Sequence, residues 1–370
     1  MNNITVNPPN TQRSESRKHE ITVCSVLLCL CVLFIHGASH LIKAGDVSRP
    51  VYYAVSVIWR MCGVGAQGFI FLAALRFTLS ANRDGKRKGV LSYYLSRFLR
   101  IVPLYLVWSA IYYAYSVFAE GAEFSISEFF RLTLLGDTAS HLYYVVVLLQ
   151  FTLIAPISLL LRKKLPASVI LPASVLLTSI FGDYLTDLIY AAFPSVSAFN
   201  YSDRVFTSFL IFWSAGCCAG AAYDRFCKFL DDSKVFIFSA FAFSAALDLG
   251  AMYLNHVLND TWRRIWSVKQ IQTLYVLSAI LMLMAISRMI VKKRTEAPVF
   301  FQKAELAGYF IYLSHLLPVK AVTLLCGKLG ISTLPTFFIT LAVLAVWFVL
   351  SSLAYGNRLY LLHAKRKLDR

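Results

Sequence analysis

The chain has 370 residues, of which 58% are apolar and only 15% charged. A soluble domain holds about 45–50% apolar and about 25% charged residues, so a water-soluble globule is excluded, as are a disordered chain and a fibre. The net charge of +17 would suit nucleic acid. In so apolar a chain it points instead to cytoplasmic loops rich in Lys and Arg, and no nucleic-acid partner is expected.

Residues 1–20 are polar and are expected to form a disordered cytoplasmic segment. A basic start followed by an apolar run would suit a signal peptide. The run from Ile21 to Ile42 is longer than such a core and lacks a convincing A-x-A site, so it reads as a retained first span. The apolar runs then predict about ten transmembrane helices, each near the ~20 residues that cross a ~30 Å hydrocarbon core. They fall at 21–42, 51–80, 98–118, 141–161, 166–190, 204–222, 234–254, 270–291, 306–327 and 333–356. The second is long enough to begin at the interface, and Pro172 marks the fifth for a kink. The expectation is one all-α integral membrane domain over 21–356 with a short basic tail at 357–370.

Most lysines and arginines lie in segments on one side of these spans: Arg13–Lys18, Arg83–Arg100, Arg162–Lys164, Arg225–Lys234, Arg288–Lys303 and the stretch from Arg358 onward. The positive-inside rule therefore puts both termini in the cytoplasm. The longest outer loop, 119–140, carries Glu120, Glu123, Glu128 and Asp137, with Arg131 as its only basic residue. The eight cysteines form no CxxC or Cys/His zinc spacing and read as small buried hydrophobes.

A charged or strongly polar group in hydrocarbon costs several kcal/mol, so each one is a functional candidate. His36, in VLFIHGASH, lies fifteen residues past Ile21, which at ~1.5 Å per residue is about 22 Å from the cytoplasmic edge. His40 follows on the same helix face. Two histidines are too few for zinc and no metal is expected; a hydrogen bond to a neighbouring helix is the plainer role, above all for His40. Arg60 lies within the second span and requires a partner, a water-filled cavity or a path for snorkelling to the surface. Gly63, Gly65, Gly68 and Gln67 beside it suit close helix approach or a polar cavity. Arg76 and Lys320 also sit within spans. Arg97 and Arg100 share a face at the cytoplasmic mouth of the third helix, where two guanidiniums can grip phosphates or simply anchor to lipid headgroups. His141 opens the fourth helix and His315 lies near the middle of the ninth; either could line one cavity with His36 or serve only as a structural hydrogen-bonding group.

An imidazole in the outer half and a phosphate-gripping pair at the inner mouth suggest chemistry across the bilayer. A cytoplasmic cofactor with a charged head and a long arm would dock at Arg97 and Arg100 and reach toward His36, whose neutral imidazole suits proton abstraction near pH 7. There is no P-loop, GxSxG elbow or dinucleotide fingerprint.

In order along the chain, LFIHGASH, VGAQGFIFLAAL, RFLRIVPLYLVW, HLYYVVVLLQFTLIAPI, FWSAGCCAG and YFIYLSHLLPV resemble successive motifs of the acyltransferase-3 family of membrane acyltransferases. The first helix is similar to that of a group from Gram-positive bacteria. The resemblance implies a multi-pass protein of the bacterial cytoplasmic membrane. It would move an acetyl or other short acyl group from cytoplasmic acyl-CoA to a hydroxyl of an extracytoplasmic or lipid-linked carbohydrate. By the same resemblance His36 is the catalytic histidine, and Arg97 and Arg100 handle the acyl-CoA. Many members carry an arginine where this chain has Ser25, a Ser-Gly pair where it has Ala73-Ala74, and close relatives a glutamate where it has His40. A glycan or glycolipid transporter of the same fold is the alternative reading. The acceptor sugar, the acyl group and the oligomeric state stay open.

Overall fold

Lipid leaves a spanning backbone nothing to bond to but itself, so long apolar runs must become helices or a closed barrel. The computed structural model describes residues 18–83, 89–192, 201–259, 269–294 and 297–368, and among these there are helices and no strands. Residues 1–17 of the expected disordered segment, the basic run at 84–88 and the last two residues of the tail lie outside the described residues.

Helix α1 (His19–Ala44) is the most buried of the spans. Cys24 and Leu28 on it face one apolar core, while Val26, Cys29 and Leu33 face a second, so the helix is wrapped on both sides. It stops at Gly45, whose φ of 66° suits glycine and whose N–H caps the carbonyl of Leu41.

The expected second span is two helices, α2 (Arg49–Met61) and α3 (Gly65–Arg83), joined by a 3₁₀ turn at Cys62–Val64. Helix α4 (Val90–Glu120) begins before the expected 98, so Arg97 and Arg100 lie inside it rather than at its first turn. The expected outer loop folds into a further helix, α5 (Ile126–Leu135), whose N-terminus Ser125 caps by accepting from the Glu128 N–H. Tyr105 and Tyr113 on α4 pin this helix, donating to the carbonyls of Thr133 and Ser125.

Helices α6 (Tyr143–Lys164) and α7 (Ala167–Ala192) follow. Next, α8 (Leu210–Ala221) turns by 100° into α9 (Tyr223–Asp232). Close approach fixes α8 against α3: a Cβ on Gly216 would stand 2.3 Å from the carbonyl oxygen of Phe71.

Helices α10 (Lys234–Asn259) and α11 (Lys269–Arg294) pack together. The expected ninth span is α12 (Val299–Ser314) and α13 (Leu316–Lys328), bent by 48° at His315. Pro318 explains the bend, because it has no N–H for the Ser314 carbonyl and its ring crowds that group. Helix α14 (Thr333–Ser351) passes through a π turn at Ser352–Gly356 into α15 (Asn357–Leu368). The basic tail is thus helical as far as Leu368. At the π turn the backbones touch, and a Cβ on Gly356 would lie 2.2 Å from the Lys303 carbonyl oxygen.

Among the described residues, seven helices are long and apolar enough to cross a membrane, or nine if each bent pair is one span. The remaining expected span corresponds to α7, whose apolar part, Ala167–Phe181, is shorter. One end of the bundle gathers the start of α1, α9 and the end of α11: Tyr223 donates to Glu20 at 2.6 Å, and Arg288 pairs with Asp231 at 2.6 Å and with Glu20 at 3.4 Å. At the other end Thr333 donates to Asp46 at 2.8 Å and Lys320 to Glu120 at 2.6 Å. All eight cysteines are free thiols.

Candidate active site

A cavity of about 600 Å³ opens between α1, the α2–α3 corner, the turn before α6, α7, α11 and α12, within the usual size range of small-molecule sites. His36, Arg60, Gln67 and His141 all line it. His36 is carried on α1, seventeen residues past His19 and so about 26 Å along the helix. Trp59, Tyr144, Tyr312 and Gln272 also face the space.

His315 does not line the cavity but lies behind the other two imidazoles, fully buried. The three rings are in contact. Their centroids are 4.9 Å apart for His36 and His315, 5.8 Å for His36 and His141, and 4.8 Å for His141 and His315. Backbone carbonyls, which only accept, decide where two of these rings hold their protons. His315 donates Nδ1–H to the carbonyl of Tyr312 at 2.7 Å, and His141 donates Nε2–H to that of Leu313 at 3.3 Å. The other nitrogens, Nε2 of His315 and Nδ1 of His141, are buried without a partner among the described residues. His36 makes no hydrogen bond among them. The two neighbouring tyrosine hydroxyls are spent on carbonyls, Tyr112 on Leu313 at 2.8 Å and Tyr312 on His141.

Arg60 meets its requirement for a partner in Asp248 of α10. Nε donates to Oδ2 at 2.7 Å and the terminal nitrogen to Oδ1 at 2.6 Å, with the side chains 4% and 1% exposed. Two parallel bonds neutralise both groups where a single charge would be very costly. The sequence pattern does not single out Asp248, although a carboxylate inside FSAALDLGA carries the same warning as Arg60.

A second polar knot lies nearer the basic end. Arg76 of α3 donates to Ser25 Oγ at 2.6 Å and pairs with Glu305 of α12, which in turn accepts from Thr22 at 2.6 Å. The guanidinium beside Ser25 is therefore that of Arg76. Arg60 lies elsewhere, in the cavity.

Arg97 and Arg100 are not brought to the histidines. Arg97 is half-buried with its guanidinium 5.8 Å from the Tyr93 ring, Arg100 is exposed, and neither lines the cavity. His40 also lies outside it. Among the described residues no group of three His, Cys, Asp or Glu side chains is placed to hold a metal ion.

Membrane-length helices packed around an internal cavity that His36 and His141 line define a polytopic membrane protein with a candidate site inside the bundle. The chain belongs to the acyltransferase-3 family, whose profile, described as an acyltransferase domain, matches residues 19–354. It is therefore a membrane acyltransferase, and its reaction needs an acyl donor and a hydroxyl-bearing acceptor. No curated protein and no solved structure matches the chain.

Proposed function

We propose that this protein transfers an acetyl or other short acyl group from cytoplasmic acyl-CoA to a hydroxyl of a carbohydrate outside the cytoplasm, in a bacterial cytoplasmic membrane. The observation that carries the reading is His36, an imidazole with no hydrogen bond among the described residues, facing a cavity large enough for a sugar unit deep in the bundle.

The acceptor hydroxyl gives its proton to His36 as its oxygen attacks the thioester carbonyl. The carbon–sulfur bond then breaks, and the departing CoA thiolate takes the proton back from His36. No proton or electron pair is left over. Arg97 and Arg100, one helix turn apart, hold the donor's phosphates at the cytoplasmic end, and the flexible arm carries the thioester toward the cavity. Trp59, Gln67 and Gln272 suit a sugar, offering one aromatic face and two amides.

The test is transfer of label from radioactive acetyl-CoA into a carbohydrate fraction, using membranes that overexpress the chain. His36→Ala is expected to lower transfer by about 100-fold or more. Arg100→Ala is expected to raise the KM for acetyl-CoA. Absence of both transfer and acetyl-CoA binding in the wild-type protein would overturn the reading.

A further inference from the structure

The mechanism above leaves His315 without a role, although it is buried, polar and in ring contact with the proposed base. We infer that His315 is a positioning residue for His36: a small rotation of the His36 ring brings its N–H onto the bare Nε2 of His315, which keeps the other His36 nitrogen unprotonated and turned to the cavity. The inference rests on the proposed role of His36 and extends it to a residue that does not touch substrate.

Three observations carry it. The first is the fixed tautomer of His315. Its Nδ1–H is held by the Tyr312 carbonyl at 2.7 Å, with Ile311 O a further acceptor at 3.2 Å, so Nε2 can only accept. The second is that Nε2 is buried without a partner among the described residues, which is costly unless a donor reaches it. The third is elimination among the rings it touches. His141 spends its proton on Leu313 O and Tyr312 spends its hydroxyl on His141 O. His36, 4.9 Å away between centroids, is the ring whose N–H is uncommitted.

The bend at His315 makes this possible. An unbroken helix would direct Tyr312 O to a backbone N–H four residues on, whereas at the break the imidazole itself caps that carbonyl. His315 thus stands on a rigid corner formed by its own backbone. When His36 takes the acceptor's proton it becomes an imidazolium, and its N–H toward His315 becomes a charged, stronger donor. His315 gains no proton at any step. It serves where a carboxylate serves in other histidine bases, with the difference that it is neutral.

The test uses the full chain and two variants. His315→Leu removes the lone pair, while His315→Gln returns an acceptor oxygen at about the same reach. In the membrane transfer assay, the Leu variant is expected to lose about 100-fold in kcat with the KM for acetyl-CoA unchanged, and the Gln variant to recover to within about tenfold of wild type. Independently, NMR of protein labelled with ¹⁵N-histidine in micelles, with His36→Gln assigning the signal, should show one protonated His36 nitrogen in the wild type. The same signal should become a mixture of tautomers in the Leu variant. Equal losses in Gln and Leu, full activity in Leu, or a His36 tautomer indifferent to the Leu change would each overturn the inference. Wild-type protein that shows the tautomer effect but transfers no label would instead overturn the proposed reaction and leave the His36–His315 contact standing.

Discussion

Arg60 on α2 and Asp248 on α10, 188 residues apart in the chain, form a bidentate ion pair that closes one wall of the cavity. Both charges have left water, so what matters is that each has the other. Removing one partner of such a pair costs about 3–5 kcal/mol, whereas replacing both with apolar groups of similar volume is often close to neutral. Asp248→Ala is therefore expected to lower the thermal unfolding midpoint sharply, and Arg60→Met with Asp248→Leu to restore most of it. Fluorescence-detected melting in one detergent measures both. If the single variant melted like wild type, the pair would have no structural weight.

The Arg76 guanidinium beside Ser25 leads to a different kind of prediction. Ser25→Arg would put a second cation next to Arg76, with Glu305 as the carboxylate already engaged there. The single change is expected to destabilise, and addition of Arg76→Ala to rescue it. A coupling of about 1–3 kcal/mol is the size expected for residues in one network. Melting of the four proteins of the cycle provides the number, and strictly additive effects would argue against a shared site for the two guanidiniums.

Helix packing between α3 and α8 depends on a missing side chain. Gly216→Ala would push a methyl group to 2.3 Å from the Phe71 carbonyl oxygen, whereas a Cβ on Gly308 would meet nothing within 4 Å. Overpacking costs about 1–3 kcal/mol or more when backbone must move. Gly216→Ala should accordingly lower the yield of monodisperse protein on size exclusion, and Gly308→Ala should not.

At the basic end the hydrogen bonds of Arg288 hold the Asp231 carboxyl down at about 2, against the opposing effect of burial and with Lys292 assisting. A depressed carboxylate stabilises the fold once the unfolded chain's aspartate, near 3.9, is ionised. Its contribution is thus complete above about pH 4 and disappears as pH falls toward 2. At about 1.4 kcal/mol per unit, the whole effect is about 2–3 kcal/mol. Asp231→Asn is expected to lose about that much at pH 7 and little near pH 2, read from denaturation in detergent at both pH values. An equal loss at both would show that packing, not charge, is what Asp231 contributes.

Much of this was legible along the chain. A run such as Ile21–Ile42 can satisfy its backbone in lipid only as a helix, so the all-α membrane class follows from composition and run length alone. His36, Arg60, His141 and His315 are visible for a similar reason, as polar groups where polarity is expensive. Asp248 carries the same signal, yet nothing in its local sequence points to Arg60, because partners across a bundle are chosen by helix packing. The outer-loop helix α5 was hidden because it is held by tyrosines of α4 rather than by a spanning apolar run.

By itself, then, the sequence determined the solvent, the helical class of the spans and the short set of residues too polar to be idle, since each of these is a local balance between side chain and lipid. Only the tertiary structure decided the rest. It joined three histidines from α1, the turn before α6 and the α12–α13 bend into one contact. It also put Arg76 beside Ser25, and left Arg97 and Arg100 outside the cavity. Those relations depend on how helices separated by scores of residues are packed, and no local pattern contains that.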